Sequence, residues 1–327
     1  MRAIVLNDPT GADSMVFAEV PEPAPGAGDL LVDVAYCGCN FADTMMRIGT
    51  YPHPKGYPLV AGLEIAGRVA AVGPGVTGFK PGDRVAAFSE EAGGFAERCV
   101  VPAERAIRIP DSIGLDVAAG FLIQAMTAWN MLHNVSTTKP GDVMLINAIG
   151  GGLGLFATQL AVHAGATVVG TIGTPGKEKR ALGFGAARVF NRGETDFVAE
   201  TLAFTAGKGV DTILDSVGAT VLDRSFGAIR KLGHVVSVGE AEGRPLPNLW
   251  EQLVRKSLTF TRFHLGHCDF GSESWKRGSD AVVEGVASGW LKVPIEEIFP
   301  FDQAARMYQR LESRQVSGKL VLAVQPA

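Results

Sequence analysis

Nowhere in this sequence does an apolar stretch reach the roughly 18 residues that a membrane span requires, so no bilayer partner is expected. Cysteine is scarce. Cys37, Cys39, Cys99 and Cys268 are too few and too scattered for a disulfide framework, and one intervening residue is too short a spacing for a usual zinc pair. Reduced, buried or half-buried thiols are expected. An excess of charge of either sign is also lacking: a net charge of −4 gives no attraction for nucleic acid or an anionic surface. The strand-like Ala3-Ile4-Val5-Leu6 follows no basic segment, and a cytoplasmic location is expected. Repeats and low-complexity tracts are missing too, although glycine reaches 41 residues and proline 18.

What is present is a large core-forming content, 46% hydrophobic against 20% charged, in 327 residues. That length exceeds what one hydrophobic core usually supports, so two domains are expected. Residues 1–120 read as β-rich, with short apolar runs such as Leu30-Leu31-Val32-Asp33-Val34 separated by Pro/Gly turns. Near Asp116 the texture changes to helical spacing through Ala118, Phe121, Leu122, Ala125 and Trp129, and strands then alternate with helices. Strands are expected at 143–146, 167–172, 187–190, 210–214, 234–238 and 258–261, with helices over Pro175–Leu182 and Ala219–Lys231. This alternation predicts a doubly wound parallel sheet over 121–261. Residues 262–327, with helices at 279–288 and 301–313 and a last strand at 320–324, are too short for a domain and are expected to return to the first part.

The strongest local signal is Asn147-Ala148-Ile149-Gly150-Gly151-Gly152-Leu153-Gly154, directly after a buried strand and opening a helix. A dinucleotide's pyrophosphate needs glycine there, because the backbone must approach it closely and the helix N-terminus then offers free N–H groups. A tight turn is the bland alternative, and the timely second strand favours the nucleotide. An NAD site usually carries an acid at the end of that second strand. Here the segment reads Thr171-Ile172-Gly173-Thr174-Pro175-Gly176-Lys177-Glu178-Lys179-Arg180, with no acid at the strand end and cations beyond it. Lys177, assisted by Thr174, suits a 2′-phosphate, which favours NADPH. A solvated basic helix face is the other reading.

The chain resembles the medium-chain dehydrogenase/reductases, in their zinc-independent quinone oxidoreductase branch, over nearly its whole length. The markers are Asn40-Phe41-Ala42-Asp43, Gly62-Leu63-Glu64-Ile65-Ala66-Gly67, Pro81-Gly82-Asp83-Arg84-Val85, Ala148 through Gly154, Asp215-Ser216-Val217-Gly218 and Gly318-Lys319-Leu320. The resemblance implies an α/β protein: a GroES-like β-rich catalytic domain, a Rossmann domain and an active site in the cleft joining them. Zinc-dependent relatives have Cys where Asn40 stands and His where Leu63 stands; leucine cannot ligate a metal and an amide is a poor zinc donor, so no metal is expected. His53, His264 and His267 form no ligand spacing either.

By the same resemblance, Asn40, Asp43 and Thr127 line the nicotinamide end, and Tyr51 stands at the substrate mouth as proton or hydrogen-bond donor. Asn40 and Asp43 also read as a turn pair closing a strand, and Tyr51 as an ordinary loop aromatic. Cofactor positions carry over to Gly151, Gly152, Leu153, Thr174, Lys177, Val217, Gly239, Arg262 and Lys319. Arg192 departs from the family's usual Tyr or His, and either serves the 2′-phosphate or faces water. Arg262 either meets an anion or carboxylate or ends its strand in solvent. Met45, Met46, Met126 and Phe263 suggest an adaptable apolar pocket, or core. Glu64 reads as structural. The expected activity is NADPH-dependent hydride transfer, without metal, to a small electrophile: a quinone or an α,β-unsaturated carbonyl compound. The alternatives are an enoyl reductase for a larger acyl thioester and a low-turnover NADPH-binding redox sensor. A homodimer through the strand near 258–261 is implied by the family.

Overall fold

Turns at Gly28, Gly75, Gly78 and Gly82, all at positive φ, separate strands within the first hundred residues. The computed structural model describes residues 1–9, 15–51, 56–242 and 248–326, so His53 lies outside the described residues. The chain divides into two compact units, Met1–Ile123 with Asp269–Ala327, and Gln124–Cys268. The sequence-based boundaries, 120/121 and 261/262, differ most at the second crossing. There the short 3₁₀ turn Leu265–His267 stays with the second unit.

The first unit begins with β1 (Arg2–Leu6), β2 (Met15–Glu19), β3 (Asp29–Cys39), β4 (Leu59–Val60), β5 (Glu64–Val72), β6 (Arg84–Phe88), β7 (Arg98–Pro102) and β8 (Ala106–Arg108). Helix α1 (Phe41–Arg47) follows β3 and α2 (Leu115–Ala118) follows β8; α3 (Leu122–Trp129) then carries the chain into the second unit. In the second unit α4 (Gly152–His163), α5 (Glu178–Gly183), α6 (Phe197–Phe204), α7 (Ala219–Ser225) and α8 (Leu249–Lys256) follow β9 (Val143–Asn147), β10 (Thr167–Ile172), β11 (Arg188–Asn191), β12 (Val210–Asp215) and β13 (Ile229–Ser237) in turn, and β14 (Thr259–Arg262) closes the series. The chain then returns to the first unit as α9 (Glu273–Ser288), β15 (Ile295–Pro300), α10 (Ala304–Glu312) and β16 (Lys319–Ala323).

In the first unit the main sheet runs β15-β16-β3-β5-β6-β8, with β7 also on β3, beside a small β2-β1-β4 sheet. Strand β16 pairs antiparallel with the C-terminal half of β3, Leu320 opposite Cys39, so the chain's last strand is built into the N-terminal fold. Strand β15 was not expected from sequence. Glu296 and Glu297 are half-buried, Ile298 is exposed and Pro300 ends the strand, which among the described residues pairs with β16 alone, at the edge of the sheet.

The second unit is a six-stranded, wholly parallel sheet in the order β11-β10-β9-β12-β13-β14. The order reverses between β9 and β12, where open α/β sheets bind ligands beyond the strand C-termini. Leu145, Val169, Ile213 and Val235 from four adjacent strands pack with Phe197, Leu222 and Phe226 into one core. Each such fully buried side chain contributes about 1.5–3 kcal/mol. The expected helix over 219–231 stops at Ser225, and residues 229–237 are strand instead. Gly227 closes a turn onto Arg224, and pairing of Ile229 with Val210 outweighs the helical propensity of Arg230-Lys231-Leu232. Among the described residues no helix is long and apolar enough to cross a membrane.

Candidate active site and dinucleotide site

At the end of β3 the backbone of Asn40 caps α1. Its N–H donates to Asp43 Oδ2 (2.8 Å), and the Asp43 N–H donates to the Asn40 carbonyl (3.0 Å). The sequence alternative of a pair closing a strand is therefore realised as a helix cap. The side chains do more. Asn40 Nδ2 donates to Glu64 Oε2 (2.9 Å), and Lys319 Nζ donates to Asn40 Oδ1 (2.7 Å) and to Glu64 Oε2 (2.5 Å). Glu64 Oε1 accepts from the Ile123 N–H at 2.9 Å. Glu64 opens β5 and Lys319 opens β16, both beside β3, so strand pairing alone brings these ends together. Glu64 and Lys319 are wholly buried. Gly38 makes room: a Cβ there would lie 2.7 Å from Glu64 Oε2 and 2.8 Å from Lys319 Cε.

Lys319 was expected at the cofactor; in the structure its side chain has protein partners. Its ammonium is shielded from solvent and committed to Glu64 and Asn40, so it acts behind Asn40. The signal that Lys319 belongs with Glu64 was absent from the sequence, where 255 residues separate them. Glu64 keeps its structural reading.

Asp43 is fully buried, and its Oδ1 has no hydrogen-bond partner. Burial pushes its carboxyl up to about 7, against the opposing pull of the Asn40 N–H and the Lys319 ammonium. Tyr51 is half-buried. Its phenol is raised above the ordinary value, first by burial and then by the Asp43 and Glu90 carboxylates, so it remains protonated at neutral pH. Thr127 lies buried on α3, in the second unit. Met46 and Met126 are fully buried core residues, while Met45 and Phe263 are half-buried.

The dinucleotide candidates sit at the C-terminal ends of the parallel strands. After β9 the backbone turns at Ala148, at φ 54°, and Gly151 caps α4. A Cβ on Gly154 would lie 2.6 Å from Ile149 Cα, so glycine lets helix and loop close up. A Cβ on Gly152 would collide with Gln124 Oε1, a buried carbonyl oxygen without a hydrogen-bond partner. Gln124 was missed in the sequence, where it is one polar residue in an apolar helix. A helix N-terminus behind a glycine turn, offering backbone N–H groups, fits a pyrophosphate.

Lys177 caps α5, and its stem packs on the phosphate loop: a Cβ on Gly150 would lie 2.6 Å from Lys177 Cβ. Arg192, directly after β11, reaches Thr171 Oγ1 with Nη1 at 3.3 Å. No acid stands at the end of β10. The loops carrying Val217 and Gly239 are joined by hydrogen bonds from Val238 N–H to Asp215 O and from Glu242 N–H to Val217 O. Arg262 does meet a carboxylate, Glu240, at 3.3 Å, and donates to Ser237 Oγ at 3.0 Å.

Residues 26–111 match the family described as "Alcohol dehydrogenase GroES-like domain", and residues 152–284 match "Zinc-binding dehydrogenase". A GroES-like unit joined to a parallel dinucleotide-binding sheet is the architecture of the medium-chain dehydrogenase/reductases. The chain is 35% identical to a 2-haloacrylate reductase of a Burkholderia species, covering 99% of both, and 33% identical to quinone oxidoreductase 1 of Escherichia coli, covering 95% and 96%. It superposes on the crystal structure of Escherichia coli quinone oxidoreductase complexed with NADPH with a TM-score of 0.94, at 32% identity, over 99% of this chain and 100% of that one. The chain belongs to the quinone oxidoreductase branch of that superfamily. Zinc, named in the second match, does not fit these residues: Leu63 offers no donor atom, and the buried ammonium beside Asn40 would repel a cation.

Proposed function

We propose that the protein uses NADPH to reduce quinones or activated double bonds such as α,β-unsaturated carbonyl compounds, without a metal. The observation that carries this reading is the cationic end of β10, where Lys177 and Arg192 flank a strand terminus free of acid, beside the glycine-walled start of α4. The bound dinucleotide supplies a hydride to the electron-poor carbon or ring. The Gly151-Gly152-Leu153 amides, Thr174, Val217, Gly239 and Arg262 complete its binding set, with Lys177 and Arg192 on the adenosine phosphate.

Asn40 serves as a fixed donor. Its carbonyl is held by Lys319 and one amide hydrogen by Glu64, so the amide cannot flip and the second N–H keeps one direction. Tyr51, kept protonated, donates to the oxygen that gains charge as hydride arrives. Asp43, titrating near neutrality, supplies or relays the proton that balances the reduction. Thr127 contributes a hydroxyl. The name of the 2-haloacrylate reductase relative supports activated alkenes beside quinones as substrates. We place the protein in the cytoplasm, as a homodimer formed through the free edge of β14, the outermost strand of its sheet.

Steady-state assays with NADPH, 9,10-phenanthrenequinone and a panel of enones test the reading. Turnover of at least one class is expected, and turnover of neither sinks it.

A further inference from the structure

Four strands of the dinucleotide unit end in polar groups that touch one another across the sheet. Arg192 Nη1 donates to Thr171 Oγ1 (3.3 Å), and Thr171 Oγ1 donates to Asn147 Oδ1 (3.0 Å). Asn147 Nδ2 donates to Asp215 Oδ1 (2.8 Å) and to Ser225 Oγ (3.0 Å), and Asp215 Oδ2 accepts the Gly218 N–H (2.8 Å). The chain follows the spatial order β11, β10, β9, β12 and ends in the loop bearing Val217. Thr171, Asn147 and Asp215 are 0%, 1% and 0% exposed, so no ligand reaches them. Their hydrogen bonds serve the protein's own geometry.

One end of the chain is Arg192. Its backbone N–H is tied to Ile172 O at 3.0 Å, and its guanidinium lies across Gly173. A Cβ on Gly173 would stand 2.6 Å from Arg192 Nη2. A guanidinium recognises phosphate through a rigid fork, so its direction decides how well it binds. A long side chain left unanchored loses binding strength to rotamer freedom.

We propose that Thr171, backed by Asn147 and Asp215, is a positioning residue for coenzyme choice: the buried chain aims Arg192 over the bare Gly173 and thereby sets the preference for a 2′-phosphate. The proposal rests on the reading that Arg192 meets that phosphate. It adds that the preference is held by residues that never touch the nucleotide, and by the absence of a side chain at position 173.

Calorimetric titration of NADPH and NADH into the wild type and into Thr171→Val, Thr171→Ser, Gly173→Ala and Arg192→Gln, with both changes also combined with Arg192→Gln, tests this. Thr171→Val keeps shape and removes the hydroxyl; Gly173→Ala keeps the buried chain and displaces only the guanidinium. Each should weaken NADPH by on the order of tenfold, the scale of one lost charge-assisted hydrogen bond, and leave NADH unchanged. Thr171→Ser should restore NADPH affinity. In the Arg192→Gln background both losses should vanish, because the group being aimed is gone. Equal weakening of both coenzymes, or losses that persist without Arg192, overturn the positioning role. If Arg192→Gln alone leaves NADPH affinity intact, the phosphate reading itself fails, and the aiming proposal with it.

Discussion

Asp43 carries a carboxyl into the protein interior at the start of α1, with one oxygen unsatisfied. Its folded-state value of about 7 lies above the ordinary 3.8, so the folded protein binds a proton that the unfolded chain releases. Stability from this group is complete below about pH 4 and is lost as pH rises through about 7, by on the order of 4 kcal/mol. Denaturant titrations of Asp43→Asn between pH 4 and 8 should lose that slope; a slope equal to the wild type's contradicts the assignment. The same substitution should remove an inflection near pH 7 from kcat/KM. Lys319→Met makes a second residue-scale prediction. Leaving Glu64 buried without its cation should cost about 3–5 kcal/mol, read from the urea midpoint. A loss under 1 kcal/mol would mean that the pair does not hold the site.

At the scale of elements, the phosphate loop and the first turn of α5 act together, because the Lys177 stem lies on Gly150. Lys177→Glu should therefore weaken NADPH by at least about tenfold relative to NADH, by placing like charge beside the 2′-phosphate. Equal losses for both would remove Lys177 from that site. Much at this scale was legible beforehand. The apolar run Val143–Ile146, the glycines after it and the acid-free end of β10 locate a parallel sheet and its coenzyme from local pattern alone. The helix expected over 219–231 failed because Ile229 is claimed by a strand partner at Val210, a contact that no local window contains. Strand β15 escaped for a related reason: among the described residues its only neighbour in the sheet is β16.

On the scale of the molecule, the change in texture suggested boundaries at 120/121 and 261/262, and the compact units divide at 123/124 and 268/269. At the candidate site, Asn40, Asp43 and Tyr51 were named from the resemblance; that the strand of Lys319 lies beside β3, where its ammonium meets Asn40 and Glu64, is a long-range pairing that no local pattern contains. Sedimentation velocity should give twice the 34.4 kDa of one chain if the β14 edge pairs with its counterpart. A single-chain mass refutes the homodimer.

The cation that fixes Asn40 lies 279 positions further along the chain. During synthesis, therefore, the capped helix and its carboxylates emerge long before their counter-charge. The parallel sheet of the second unit is complete in sequence by β14, while the amide still lacks its clamp. A nascent chain halted before the final strand would carry every residue of the coenzyme sheet, yet could not orient its donor. Competence arrives only with β16.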